Sequence, residues 1–500
     1  MPELPIAGLP IPDLAAPDYR LARFLLERGL AAIYLVGFIV AYRQFPALAG
    51  ERGLTPATRI VRGVPFRRAP SLFHLVGYSD AKLRAIALAG VAVGALYLAG
   101  IPQQLPLPVT MAGWLVLWAL YQSIVNVGGT WYGFGWESLL LEAGFLAVFL
   151  GNDATDPPWL VMLAFRWLAF RVEFGAGLIK LRGDVCWRRL TCMEYHHETQ
   201  PLPNPISWFA HRAPRWYHRL EAVGNFAAQL VLPFGLFLPQ PFASVAAALM
   251  ITTQLYLVVT GNYAWLNWIT IVILAAGLVD PVAAAVLPPD ALAALAGVGG
   301  KPLGLPAWFA ALTLALAALV TYLSWWPVRN MASARQAMNA SFNPFHVVNT
   351  YGAFGSVSRD RYELIIEGTS ADRPGDDADW REYRFKAKPG DPRRMPPQVA
   401  PYHLRLDWLL WFIPLSPAYA GDWFAPFLAR LLAGDRAILR LMGPNPFPEA
   451  PPRWIRVRLF RYEFTSWREL RATGAWWRRK PSGTLVPPVR REDLLFGGEP

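Results

Sequence analysis

Cysteine is nearly missing from this chain. Cys186 and Cys192 are the only two in 500 residues, too few for a disulfide-scaffolded module. Charge is scarce too: Asp, Glu, Lys and Arg together make 16%, against about 25% in a soluble domain. Only six of the 47 basic residues are lysine. Familiar catalytic signatures are absent. There is no G-x-S-x-G, no H-E-x-x-H, no phosphate loop and no dinucleotide fingerprint, which removes the commonest hydrolase, kinase and dehydrogenase readings. Internal repeats and low-complexity linkers are missing as well, which gives no support to an inverted-repeat transporter.

What is present is apolar and aromatic. Hydrophobic residues make 54% and aromatics 14%, with 22 tryptophans, and mean hydropathy is +0.27. Tryptophan favours membrane–water interfaces, where one end of the ring system is apolar and the other wet. The apolar fraction excludes disorder. The chain therefore reads as a polytopic membrane protein, and its net charge of +12 suits anionic lipid headgroups rather than nucleic acid.

Apolar runs near the ~20 residues needed to cross a bilayer start at Leu30–Ala41, read as a retained span. They continue at roughly Leu83–Ile101, Leu107–Val127, Tyr132–Leu150, Trp159–Lys180, Leu220–Leu238, Pro241–Thr260, Tyr263–Leu278 and Ala307–Trp326, about nine in all by that length criterion. Pro281–Val298 carries Pro288, Pro289 and Asp290 and reads as re-entrant or interfacial. The expected division is an N-terminal segment 1–29, a membrane domain 30–327 with a polar loop 180–219, and a water-exposed C-terminal domain 340–500. In that tail, Arg381–Lys388 alternates, with Tyr383, Phe385 and Ala387 on one face and Glu382, Arg384, Lys386 and Lys388 on the other, the period of a half-buried strand. Tyr362–Glu367 and Trp454–Phe464 predict two more strands, the second with a bulge where its phase shifts. Leu404–Pro414 and Phe424–Leu441 predict amphipathic helices. Asp372–Asp379 reads as a solvated hairpin loop without calcium-loop spacing. The tail is thus α+β, or β-sandwich-like.

Charges inside a bilayer need a partner, a wet cavity or a function. Arg166, Glu173 and Lys180 recur every seven residues and share one helix face, with Arg171 close by. Seven residues rise about 10 Å, so a facing helix must supply partners, and Glu137 and Glu142 are the candidates for Arg166 or Arg171. Such a cluster is either a register-fixing network or a buried site. The loop that follows holds Cys186, Cys192, His196, His197 and Glu198. Zinc accepts Cys186, Cys192, His196 and His197, but C-x5-C is a poor zinc spacing and neighbouring histidines diverge. The cysteines form a disulfide in an oxidising compartment and free thiols otherwise. No metal and no cofactor is assigned. Glu173, Lys180 and His196 are the groups that would move protons if the chain were an enzyme acting on a lipid-soluble substrate.

Longer motifs carry a resemblance. Gly135-Trp136-Glu137, Gly175–Lys180 with Arg182-Gly183-Asp184, Cys186-Trp187-Arg188 and Tyr195–Pro201 with Pro203-Asn204-Pro205 resemble the lipase maturation factor family. In the tail so do Phe342-Asn343-Pro344-Phe345, Asn349–Gly352, Tyr383-Arg384-Phe385-Lys386 with Lys388, and Arg405-Leu406-Asp407-Trp408. The resemblance implies a non-catalytic membrane protein that helps secreted lipases fold and assemble, with the tail handling the client. The family's animal members are similar proteins of the endoplasmic reticulum membrane, and a bacterial member, which the Arg-rich composition suggests, would sit in the inner membrane. A more remote likeness is to vitamin K-dependent carboxylase-like membrane proteins. The family supplies no catalytic residues. Nine spans starting inside would export the tail, whereas the arginines of the first loop and the Cys/His loop favour the opposite orientation.

Overall fold

The computed structural model describes residues 14–495. Its longest helix, α1 (Arg20–Leu48), starts ten residues before the apolar run. The extension is possible because its arginines are satisfied locally: Arg20 pairs with Asp156 at 2.8 Å and donates to the Gly297 and Lys301 carbonyls. Arg23 donates to the Asn152 and Thr155 carbonyls. Asp280 accepts from the backbone N–H groups of Arg20 and Leu21. It acts as a cap from 260 residues away, filling a role normally taken by a neighbouring side chain.

Against α1 pack α2 (Asp80–Ala99), α3 (Leu107–Val125) and α4 (Gly135–Ala147), and α5 (Trp159–Arg182) packs on α4. Ser79 caps α2 by accepting from the Lys82 N–H, and Gly100 closes it in the left-handed region at φ 84°. Two glycines let the helices approach. A Cβ on Gly90 would lie 2.5 Å from the Phe38 ring, and one on Gly144 would lie 1.8 Å from the Tyr34 hydroxyl. Tyr34 donates to the Leu140 carbonyl at 3.1 Å, locking α1 to α4.

After the polar loop come α6 (Met193–Thr199), α7 (Arg215–Phe226), α8 (Phe242–Thr260), α9 (Leu266–Leu274) and α10 (Ala307–Leu323). Among the described residues, five helices are long and apolar enough to cross a membrane: Pro17–Leu48, Asp80–Ala99, Leu107–Val125, Phe242–Thr260 and Ala307–Ala332. The expectation of about nine spans is not confirmed by this count. Gly135–Ala147 has only 13 residues and Leu266–Leu274 only nine. Trp159–Arg182 is long but carries buried Arg166, Arg171, Glu173 and Lys180. Leu220–Leu238 is interrupted: α7 passes into a π-helical turn at Ala227–Val231 and then a short turn at Leu232–Gly235. Pro281–Val298 contains the short helices Asp280–Ala284 and Pro289–Ala296.

The tail has one antiparallel sheet in the order β2-β1-β3-β4, built from β1 (Arg361–Thr369), β2 (Arg381–Glu382), β3 (Trp454–Phe464) and β4 (Trp477–Val489). The expected bulge in β3 is present, with register shifts that include Leu459/Phe460. Four expectations fail. No second sheet exists among the described residues, so the domain is α+β and not a sandwich. Only Arg381–Glu382 of Arg381–Lys388 pairs as strand, because Asp407 takes the Ala387 and Lys388 N–H groups. Lys388 is buried, not on the wet face. Phe424–Leu441 is two helices, Phe424–Leu432 and Arg436–Leu439, broken at Gly434 with φ 63°. Helix α11 (Arg405–Phe412) forms where expected.

Gly144→Val tests the close α1–α4 packing. It should destabilise the protein by about 1–3 kcal/mol, seen as a lower thermal midpoint in detergent, and Tyr34→Phe should partly relieve it. An unchanged midpoint for Gly144→Val would show that the helices can separate without loss.

Candidate functional site

Glu137 and Glu142 are five residues apart on α4, so they face different directions. Both are buried. Glu137 forms an ion pair with Arg405 at 2.7 Å and accepts from the Tyr121 hydroxyl. The Arg405 guanidinium also lies 3.5 Å from the Tyr132 ring centroid and donates to the Trp131 carbonyl. Glu142 pairs with Arg171. It also accepts from the Asn349 backbone N–H at 2.8 Å, the Asn349 amide at 2.9 Å and the Tyr351 hydroxyl at 2.8 Å. Arg171 in turn donates to the Asn349 carbonyl at 2.6 Å. Each carboxylate of α4 thus holds a different segment of the tail.

Arg166 meets neither. It donates to the Ala276 and Leu236 carbonyls and the Tyr19 hydroxyl, with the Tyr19 and Trp159 rings 5.2 and 5.0 Å from its guanidinium carbon. Glu173 and Lys180 are joined instead by Gln229, which the π-helical turn presents to the bundle. Its amide donates to Glu173 at 3.1 Å and its carbonyl accepts from Lys180 at 2.8 Å. Gln254 donates to Glu173 at 2.7 Å, and Lys180 donates to Asn225 at 2.8 Å. The Lys180 ammonium also sits 5.0 Å from the Trp187 ring centroid. A single π-turn inside an α-helix is rare and recurs at functional sites. Gln229 was not visible in advance, because a lone amide in an apolar run carries no signal of its own.

This chain of amides lines a cavity of about 940 Å³. Its walls come from α5, α7, α8 and α9, with Tyr351–Ser356 and Trp408–Tyr419 of the tail covering it. His196 lines it as well, bonded to the Tyr263 hydroxyl at 2.9 Å. Burial pushes the His196 imidazole down to about 3, so it is neutral at pH 7. Cys186 and Cys192 are joined in a disulfide, which sets the loop leading into α6. The adjacent histidines diverge, with rings at 70°. His197 bonds Glu221 at 2.9 Å, and His218 bonds the other oxygen of Glu221 at 2.7 Å. These three are the one group among the described residues whose His, Cys, Asp and Glu donor atoms converge closely enough for a metal.

Glu198 belongs to the tail's docking face. It accepts from the Phe464 N–H at 2.6 Å, with His211 at 3.5 Å. Burial pushes its carboxyl up to about 7 and draws His211 down to about 3. Beside it, Arg361 of β1 donates to the Glu198, Gln200 and Pro201 carbonyls while paired with Glu363. Glu363 also pairs with Lys388, whose ammonium burial draws below its ordinary value. Asn343 folds its own turn by bonding Val347 and Phe345, and the Pro344 carbonyl accepts from Gln122. Tyr383 and Phe385 are core residues, whereas Trp408 lines the cavity.

Residues 21–285 match the family of the lipase maturation factor transmembrane domain, and residues 347–487 match the lipase maturation factor C-terminal domain. The chain is 42% identical to lipase maturation factor 1 of Bos taurus, over 96% of this chain and 91% of that protein. It is 39% identical to lipase maturation factor 1 of Homo sapiens, over 98% and 91%, and 30% identical to lipase maturation factor 2 of Homo sapiens, over 95% and 83%. No solved structure matches it.

Two predictions follow from the docking charges. Glu137→Gln leaves Arg405 buried without a counter-ion and should cost about 3–5 kcal/mol. Adding Arg405→Met should restore much of that loss in detergent unfolding, and strictly additive losses would refute a direct pair. Glu198 has a raised carboxyl in the folded protein, so its contribution is complete below about 4.5 and is lost as pH rises through about 7. Glu198→Gln should therefore gain thermal midpoint relative to the parent as pH rises across that window; a pH-independent difference would exclude it.

Proposed function

The chain belongs to the lipase maturation factor family, and on that premise we propose that its clients are exported lipases. It is an integral membrane maturation factor. In our reading it lies in the inner membrane of a bacterial source, as its animal relatives would lie in the endoplasmic reticulum membrane. The observation that carries the reading is full-length similarity to named lipase maturation factors, across both the membrane domain and the tail. The architecture supports a role for the tail held against the bundle. Arg405, Asn349 and Arg361 anchor three tail segments to the α4 carboxylates and to the carbonyls of residues 198, 200 and 201. A maturation factor must offer a nascent client a surface that does not itself collapse, and such anchoring keeps the tail's β4 edge, largely exposed, in a defined place.

Deleting the gene and measuring each exported lipase tests this. Antigen should stay normal while activity per molecule falls, and the full-length gene should restore it. Unchanged activity per molecule for every lipase would reject the client assignment.

The cavity favours a second reading, an enzyme acting on a lipid-soluble substrate, because Glu173, Lys180 and His196 all line it. Under that reading Lys180→Met and Glu173→Gln abolish the deletion-rescue phenotype while the protein still inserts. Full rescue by both variants would leave the cavity without a catalytic part.

A further inference from the structure

Outside the polar chain of the cavity lies a second concentration of ligating groups. His218 and Glu221 stand three residues apart on α7 and therefore share a face. His197 reaches them from α6, whose entry is set by the Cys186–Cys192 disulfide. The donor atoms of the three lie within 4.8 Å of one another. Both His197 and His218 are almost fully buried, so the convergence is not the chance meeting of solvated surface groups.

The spacing is close to that of a metal shell. Zinc binds histidine nitrogen and carboxylate oxygen at about 2.0–2.2 Å in tetrahedral geometry, which puts neighbouring donors about 3.3 Å apart. The observed nitrogen–oxygen separations are 2.9 and 2.7 Å. These contacts reach different oxygens of Glu221, and the three donor atoms all lie within 4.8 Å of one another, so an ion enters by replacing the two hydrogen bonds as the groups shift outward. Two imidazole nitrogens and one carboxylate suit a divalent ion of the zinc class, since thiolate is absent. The two cysteines are bonded to each other and His211 is turned to Glu198, so neither competes for the position.

The surroundings match a site with one open position. Tyr256 donates its hydroxyl to Glu221, the kind of outer contact that orients a ligating carboxylate. Glu221 and Tyr256 both line the cavity of about 940 Å³, whereas His197 and His218 do not. Three protein ligands with a fourth place for water or a ligand oxygen is the pattern of a zinc site that remains accessible.

We infer that His197, His218 and Glu221 form a three-ligand site for zinc, with the fourth coordination position facing the cavity. The site ties the polar loop to α7 whatever the client, so it stands apart from the lipase reading.

The test uses full-length, tag-free protein in detergent, kept oxidised, stripped with chelator and dialysed against zinc alone. One zinc per chain is expected, with an X-ray absorption spectrum of imidazole nitrogen and oxygen and no sulfur. Cobalt in its place should give tetrahedral visible bands. Glu221→Gln and His218→Gln should lose the metal, while His211→Gln keeps it. No stoichiometric zinc in the parent protein, a sulfur-containing shell, or a shell without imidazole would each overturn the proposal. Undiminished binding in folded Glu221→Gln would do the same. The absorption spectrum reads the ligands in the unmodified chain, so the outcome does not depend on either variant folding.

Discussion

A carboxylate cannot remain ionised in an apolar bundle without a partner, and α4 places two there. The idealised cost of taking one such ion from water is of order 20 kcal/mol before relaxation. Glu137 and Glu142 must therefore be met, and the groups that meet them come largely from the tail. Arg405 enters for Glu137, while Asn349 and Tyr351 join Arg171 around Glu142. Removing the tail would leave Glu137 without its Arg405 counter-ion, met by the neutral Tyr121 hydroxyl. The membrane bundle and the tail are consequently halves of one electrostatic arrangement, and the 13-residue α4 is where they join.

Once that joint is made, other features acquire their positions. Arg361 can reach the carbonyls of residues 198, 200 and 201 only when β1 lies against the polar loop. The same seating brings Glu198 against the end of β3 and lays α11 over the cavity. Asn262 extends the contact, accepting from the Val399 and Ala400 N–H groups and donating to the Pro397 carbonyl. These contacts satisfy backbone groups that would be costly to bury unpaired, and they make the tail's orientation a property of the whole fold.

Beneath the tail, polarity is handled with neutral groups. Gln229, Gln254 and Asn225 link Glu173 to Lys180 without a direct ion pair. Amides can donate and accept at once, so one glutamine serves both charges. The π-helical turn that aims Gln229 inward also breaks the helix that a simple apolar run would have made. A membrane protein with both a large cavity and buried charges needs some device of this kind, and here it is one extra residue in a helical turn.

Much was legible in the chain itself. Scarce charge and abundant tryptophan established a membrane protein, since hydrocarbon selects composition directly. Period-two alternation located β1 and β3, with the bulge at Leu459/Phe460, because side-chain direction in a strand depends only on parity. Length alone placed spans at Tyr132–Leu150 and Tyr263–Leu278, which the helix lengths do not confirm; parity gave the buried face of Tyr383, Phe385 and Ala387 but not the pairing, because the Asp407 carboxylate takes the Ala387 and Lys388 N–H groups. Arg171 and Arg166 looked equivalent along the chain, yet only Arg171 faces a carboxylate. Glu137 found its counter-ion 268 positions later in Arg405, and His197 found His218 and Glu221 across a loop. Composition and periodicity act between near neighbours, so the sequence determined the solvent each segment prefers and the face each residue takes. Which distant charge answers which depends on how the elements close over one another, and only the tertiary structure decided it.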